Sequence, residues 1–265
     1  MLSVLALDAG NTRLKATWLV GDRLRTEAFD YTNPAAAHRI AEVSHAVGIQ
    51  HVGLASVVDH ELPLFRQLAT LLPGTTFHYL GSTTPSWLVN AYQSPETLGV
   101  DRWLAVHGAR WRVPTGRLLV IDLGTAITYD YLTADERYLG GAIAPGLRMR
   151  YHALHTYTAR LPSLEPHPEG LPQLLGTTTH SSLASGVEVG LLHELRGMVA
   201  AFGGLEPSTL AVVLTGGDSN RFEKLLDSPI FASPHLVALG IAALVAFRVY
   251  GSAPLGPPPG WDSGV

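Results

Sequence analysis

Cysteine is absent from all 265 residues, which excludes disulfides, thiolate metal centres and cysteine nucleophiles. Lysine is nearly absent, occurring only at Lys15 and Lys224, so a lysine inside a glycine-containing turn stands out. Charged residues make up only 15%, with a net charge of −4 and a pI near 6.3. That balance argues against a nucleic-acid partner held mainly through phosphate contacts. No apolar run approaches the roughly 18–20 residues of a membrane span, and the first residues run straight into a strand pattern without a basic leader. A soluble cytoplasmic protein is therefore expected, with no membrane partner. No Gly-x-x-x-x-Gly-Lys-Ser/Thr, Gly-x-Gly-x-x-Gly or Gly-x-Ser-x-Gly occurs, which disfavours a P-loop, a dinucleotide fold and a nucleophile elbow. The 12 histidines are scattered, and His152 with His155 lacks the nearby carboxylate that a zinc helix would supply.

Against these absences, 46% of the chain is hydrophobic, enough for one large domain or two of about 100–150 residues. Two short stretches carry the chemistry. In Leu7-Asp8-Ala9-Gly10-Asn11-Thr12-Arg13-Leu14-Lys15, an apolar strand delivers Asp8 to a tight turn, and a second strand begins at Leu14. A carboxylate, backbone N–H groups, a hydroxyl and Lys15 around one concave turn suit a phosphate tail with its divalent cation. The pattern returns at Ile121-Asp122-Leu123-Gly124-Thr125-Ala126-Ile127-Thr128-Tyr129-Asp130. One Asp-x-Gly turn is an ordinary hairpin; two in matching strand contexts point to a repeated phosphate-binding device.

The order of elements repeats as well. Strands are expected at 4–7, 14–20, 23–29, 51–57 and 76–80, with helices from Pro34 to Gly48, over 61–72 and over 99–112. After Pro114-Thr115-Gly116 come strands at 118–122, 127–132 and 137–143, then a helix from Pro145-Gly146 to about Tyr157. A proline-rich loop covers 161–172, a long helix 181–202, a strand 211–214 and a closing helix 236–250. This ordering predicts a duplicated α/β architecture with a cleft between its halves: residues 1–115, residues 116–251 and a Pro/Gly-rich tail over 252–265.

Six motifs resemble those of the type III pantothenate kinases, within the acetate kinase, sugar kinase and actin superfamily. They are Asp8-Ala9-Gly10-Asn11-Thr12-x-x-Lys15, Gly99-Val100-Asp101-Arg102, Asp122-Leu123-Gly124-Thr125-Ala126-x-Thr128-x-Asp130, Gly140-Gly141-x-Ile143-x-Pro145-Gly146, Gly176-x-x-Thr179 with Ser185-Gly186, and Thr215-Gly216-Gly217. They occur in the family's order from residue 8 to about 245. The resemblance implies two ribonuclease-H-like domains in tandem, built from duplicated βββαβα units. It also implies ATP-dependent phosphorylation of pantothenate in coenzyme A biosynthesis, a divalent cation such as Mg2+, a monovalent K+ or NH4+, and a homodimer. By match, Asp8, Ala9, Gly10, Asn11, Thr12, Arg13, Leu14 and Lys15 would handle the ATP phosphates, with Asp8 near the divalent ion, and Thr125 would touch ATP. Asp101 would be the base, with Tyr92, Gly99, Val100, Asp101, Arg102 and Thr179 on pantothenate; Asp122 would hold the monovalent cation. Thr177, Thr178 and Thr179 all remain candidates for the threonine contact.

Each position also has a plainer reading. Asp101 opens a helix, where a carboxylate satisfies free N–H groups. Asp122 ends a buried strand and caps a turn, Gly216-Gly217 makes a tight strand-to-helix turn, and Tyr92 lies on a loop. A kinase acting on another small hydroxyl substrate such as a sugar, or a nucleotide-binding regulator without catalysis, are the alternative functions.

Overall fold

The computed structural model describes residues 2–10, 13–57, 63–168, 170–226, 230–254 and 256. The chain divides into two compact units, one of residues 1–115, 136–138 and 235–265, the other of residues 116–135 and 139–234. Among the described residues no helix is long and apolar enough to cross a membrane.

The first unit opens with an antiparallel meander, β1 (Val4–Ala9), β2 (Leu14–Val20) and β3 (Arg23–Phe29). There follow α1 (Ala36–Val47), β4 (His51–Ser56), α2 (Pro63–Leu71), β5 (Thr76–Leu80), the two-residue β6 (Val89–Asn90) and α3 (Val100–Arg112). Strand order is β3-β2-β1-β4-β5, with β1 parallel to β4 and β4 parallel to β5. Alternation along β1 sends Leu5, Leu7 and Ala9 to one face, where they pack with Ile40 and Leu68 of α1 and α2. Val4 and Ala6 point to the other face, towards α3 and the closing helix.

The second unit repeats the plan with β7 (Arg117–Leu123), β8 (Ala126–Leu132), β9 (Arg137–Pro145) and α4 (Leu147–Thr156). The expected helix over 181–202 is interrupted. It is α5 (Thr179–Ala184), a π-helical turn (Ser185–Val189) and α6 (Gly190–Gly203). β10 (Leu210–Thr215), α7 (Ser219–Phe222) and β11 (Ile230–Ala232) complete the unit. β10 is parallel to β7 and to β11, and Leu119, Ile121, Leu191, Leu195 and Leu214 share its core.

Sequence order groups residues 236–250 with the second half, but this closing helix, α8 (Leu236–Tyr250), belongs to the first unit. Its residues from Leu236 to Ala246 are buried on nearly every side, the signature of a helix enclosed between layers. Three glycines permit the enclosure. A Cβ on Gly240 would stand 1.9 Å from the Leu104 carbonyl oxygen, one on Gly108 2.1 Å from the Leu236 oxygen, and one on Gly53 2.3 Å from Ile241 Cγ2. The short β6 also escapes the sequence pattern. It pairs in parallel with Arg137 and Tyr138, and Glu136 beside them forms an ion pair with buried Arg110 at 2.8 Å. These contacts tie residues 136–138 to the first unit.

Within α3, His107 is fully buried between Trp87 and Trp103, with ring centroids 4.9 and 4.4 Å away. Its Nδ1–H donates to the Trp103 carbonyl at 2.8 Å, so Nε2 is the acceptor for the Ser86 hydroxyl. Burial lowers its pKa to about 4. The unfolded chain takes up this proton near pH 6.5 while the native state refuses it until about pH 4, so stability falls as pH drops through that window. Wild-type protein should lose roughly 2 kcal/mol between pH 7 and pH 5 from this residue. Urea unfolding of His107→Gln should show a correspondingly smaller acid loss; equal losses in the two proteins would refute the assignment.

Candidate functional site

The first site is built on the end of β1. In the β1–β2 ladder Asp8 lies directly opposite Lys15, so both side chains project to the α3/α8 face while Ala9 and Leu14 are buried in the core behind. Ala9 and Leu14 can therefore meet a ligand only through their backbones. The turn is braced on two sides: the Tyr31 hydroxyl donates to the Gly10 carbonyl at 2.6 Å, and Val57 N–H donates to the Ala9 carbonyl at 3.1 Å. Gly10 N–H reaches across to the Arg13 carbonyl at 3.2 Å. Arg13 itself is exposed and pairs with Asp30 at 3.2 Å. Asn11 and Thr12 lie outside the described residues. Burial pushes the Asp8 carboxyl above the usual carboxylate range; Lys15 pulls it back and the charge of Asp101 raises it further.

Asp101 reaches this neighbourhood from the first turn of α3. Its Oδ1 accepts the Arg102 N–H at 2.9 Å, so the helix-start role is present alongside any other. The carboxylate folds back towards Gly99, where a Cβ would stand 2.5 Å from Oδ1 and the carboxylate would have to shift. Val100 is buried against α8. Arg102 is also buried, its guanidinium 5.8 Å from the centroid of the Tyr92 ring. Tyr92 faces Tyr138 at 6.0 Å, and its N–H donates to Asn90 Oδ1 at 3.1 Å. Tyr92, Arg102 and Asp101 thus gather at the start of α3. Sequence reasoning missed two neighbours. Tyr31 braces the turn, and His235 meets Thr26 Oγ1 through Nδ1 at 3.3 Å, its pKa lowered by burial and by Lys15. Both stand far along the chain from the motifs, so no local signal marks them.

The second unit carries the other candidates. Asp122 is the penultimate residue of β7, opposite Thr128 of β8 and Thr215 of β10. Gly216, at φ 90°, wedges against it: a Cβ there would stand 2.4 Å from Asp122 Oδ1. Thr125 is exposed, and its carbonyl accepts the Gly146 N–H at 3.1 Å. Thr179 is the exposed first residue of α5, behind a capping box formed by Thr178 and Ser181. Thr177, Thr178 and Thr179 together line a hollow of about 680 Å³ floored by Leu154, Leu161 and Leu183. Among the described residues no three His, Asp or Glu side chains converge as a metal cage.

Residues 4–201 match the model of the type III pantothenate kinase family. A type III pantothenate kinase of Flavobacterium johnsoniae is 34% identical over 250 residues, covering 93% of this chain and 98% of the relative. One from Bacteroides fragilis is 36% identical over 244 residues, covering 92% and 98%. Among solved structures, a Sinorhizobium meliloti protein named as a 2-dehydro-3-deoxygalactonokinase superposes with a TM-score of 0.55 at 15% identity, covering 94% of this chain and all of its own. A Campylobacter jejuni protein named as a Baf family transcriptional activator gives 0.57 at 21%, covering 92% and 98%. At those identities the likeness speaks for the fold, a mixed α/β architecture of two tandem domains.

Asp8 carries a stability consequence. Because its native pKa is raised, the native state keeps a proton that the unfolded chain has already lost, so stability falls as pH rises through that window, and the deficit persists at neutral pH. Asp8→Asn removes the deficit. Calorimetry at pH 7 without ligand should show a higher melting temperature for the variant than for wild type; a lower one contradicts the electrostatic account.

Proposed function

The chain belongs to the type III pantothenate kinase family, and from that premise we infer which of its residues carry the phosphoryl transfer. The activity is ATP-dependent phosphorylation of pantothenate in coenzyme A biosynthesis, with a divalent cation accompanying ATP. The observation that carries the residue assignment is the facing pair Asp8 and Lys15 with the Asp101 charge acting on Asp8.

Phosphoryl transfer asks for in-line positioning and charge compensation more than for covalent chemistry. A carboxylate whose charged form burial disfavours, as at Asp8, gains from a hard divalent cation. Lys15 offsets charge on the phosphoryl oxygens, and the backbone of residues 9–14, with Asn11 and Thr12, cradles the phosphates. Asp101 accepts the proton of the primary hydroxyl of pantothenate as that oxygen attacks the γ-phosphorus and the bond to ADP breaks. Tyr92, Gly99, Val100 and Arg102 line the acceptor site around it, and Thr179 is the further pantothenate contact that the family resemblance implies, from this chain or from the partner subunit. Asp122, a carboxylate at the end of a buried strand, answers its desolvation with K+ or NH4+, and Thr125 touches ATP. Tyr157, Leu174 and Leu175, exposed at 85%, 74% and 79% on the second unit, support the family's homodimer as the working assembly.

The test is ADP release from purified protein with ATP, magnesium and pantothenate in potassium, ammonium or sodium buffer. Pantothenate-dependent release in potassium or ammonium but not in sodium is the expected result. Equal release in sodium removes the monovalent-ion role of Asp122. No release in any buffer by folded protein overturns the acceptor assignment. Sedimentation of the same preparation should give about twice the chain mass of 28.3 kDa; a monomer mass would remove the dimer.

A further inference from the structure

The second unit holds a charged network that none of these roles uses. Glu188, fully buried, sits in the π-helical turn between α5 and α6. One carboxylate oxygen accepts the Tyr151 hydroxyl at 2.7 Å and the His167 N–H at 2.8 Å. The other meets Arg221 Nη1 at 2.7 Å. Arg221 stands in α7, directly behind the Thr215–Asp218 turn, and also donates to the carbonyls of Gly170, at 2.9 Å, and His167. Three residues before Glu188, the Ser185 hydroxyl donates to the Leu174 carbonyl. Arg148 bridges Glu165 and Asp218 at 3.6 Å each.

These bonds converge on one strap, residues 161–168 and 170–176, which has no helix or strand of its own. A backbone without secondary structure needs outside partners for its N–H and C=O groups. Apolar packing would fix such a strap at less desolvation cost than a buried ion pair, so the pair needs another reason. The π-helical turn sharpens the point. Such turns are rare and frequent at functional sites, and this one turns both Ser185 and Glu188 inward against the strap. The strap ends at Gly176, whose position admits no side chain: a Cβ would stand 2.3 Å from the Ser182 nitrogen. Gly176 leads directly into the threonines that line the 680 Å³ hollow.

We propose that Glu188 and Arg221 are positioning residues that couple the Thr215–Asp218 turn, where Gly217 leaves the backbone open to a flat ligand such as the adenine of the nucleotide, to the Gly176–Thr179 segment, so that nucleotide binding at the turn orders the acceptor-side threonines. The inference rests on the pantothenate kinase reading, with the threonine run on the acceptor side. Glu188→Gln keeps a hydrogen-bonding side chain but removes the charge that holds Arg221. Steady-state kinetics should show KM for pantothenate raised about tenfold with kcat within about threefold. Arg221→Lys, which restores a cation without the forked donors, should fall between the two. A folded Glu188→Gln protein with unchanged KM, or with kcat alone reduced, overturns the proposal. Hydrogen exchange of the wild type serves whether or not the variants fold. A non-hydrolysable ATP analogue alone should slow exchange over residues 170–176, and no change there overturns the coupling. Wild-type protein that does not turn over pantothenate at all counts against the functional reading instead, since the exchange experiment needs no acceptor.

Discussion

The close contact of α3 with α8 is the constraint on which the first unit depends. Gly108 and Gly240 let the two helices approach until neither position could take a methyl group, and Gly53 lets α8 settle onto β4. The consequence is chemical as well as structural. The start of α3 carries Asp101, and the strand on which α8 rests ends beside Asp8, so the helix contact sets one carboxylate in the field of the other. Close packing leaves little room for adjustment, which keeps the geometry narrow.

Electrostatic cost is concentrated where the proposed chemistry is. Burial disfavours the charged form of Asp8, Lys15 counters that cost, and the Asp101 charge adds to it. A cation at Asp8 would relieve that cost, and phosphate oxygens would meet the charge of Lys15 opposite it. Glu188 is the contrast. Its carboxylate is fully buried yet partnered by Tyr151, His167 and Arg221, and it acts on the segments it joins. His107 is a third solution, buried by giving up its charge.

Much of this was legible in the residues. The β1–β2 hairpin, the Asp-x-Gly turns and the start of α3 follow from alternation, glycine placement and capping preference, which are local properties. The placement of Asp8 beside Lys15 was also readable, since a hairpin sets them opposite each other. What depended on distant packing was not. Nothing in Leu236–Tyr250 says which unit encloses it, because an all-apolar helix fits any apolar slot; the glycine on α3 decides. The π-helical turn at 185–189 looks like continuous helix because its residues have ordinary helical preferences, and only the bonds of Glu188 and Ser185 to the strap reveal it. β6 is two residues long, below any periodic signal, and His235 is a single residue given meaning by Thr26 and Lys15.

The measurement that bears most directly on the central claim is kcat for Asp101→Asn at saturating ATP and pantothenate, with ATP-analogue binding measured alongside. The substitution keeps size and the hydrogen bond to Arg102 N–H but removes the proton acceptor. If Asp101 takes the hydroxyl proton beside Asp8 and Lys15, kcat falls about hundredfold or more while the analogue still binds. A kcat within about twofold of wild type would contradict that role and leave Asp101 as a helix-start residue.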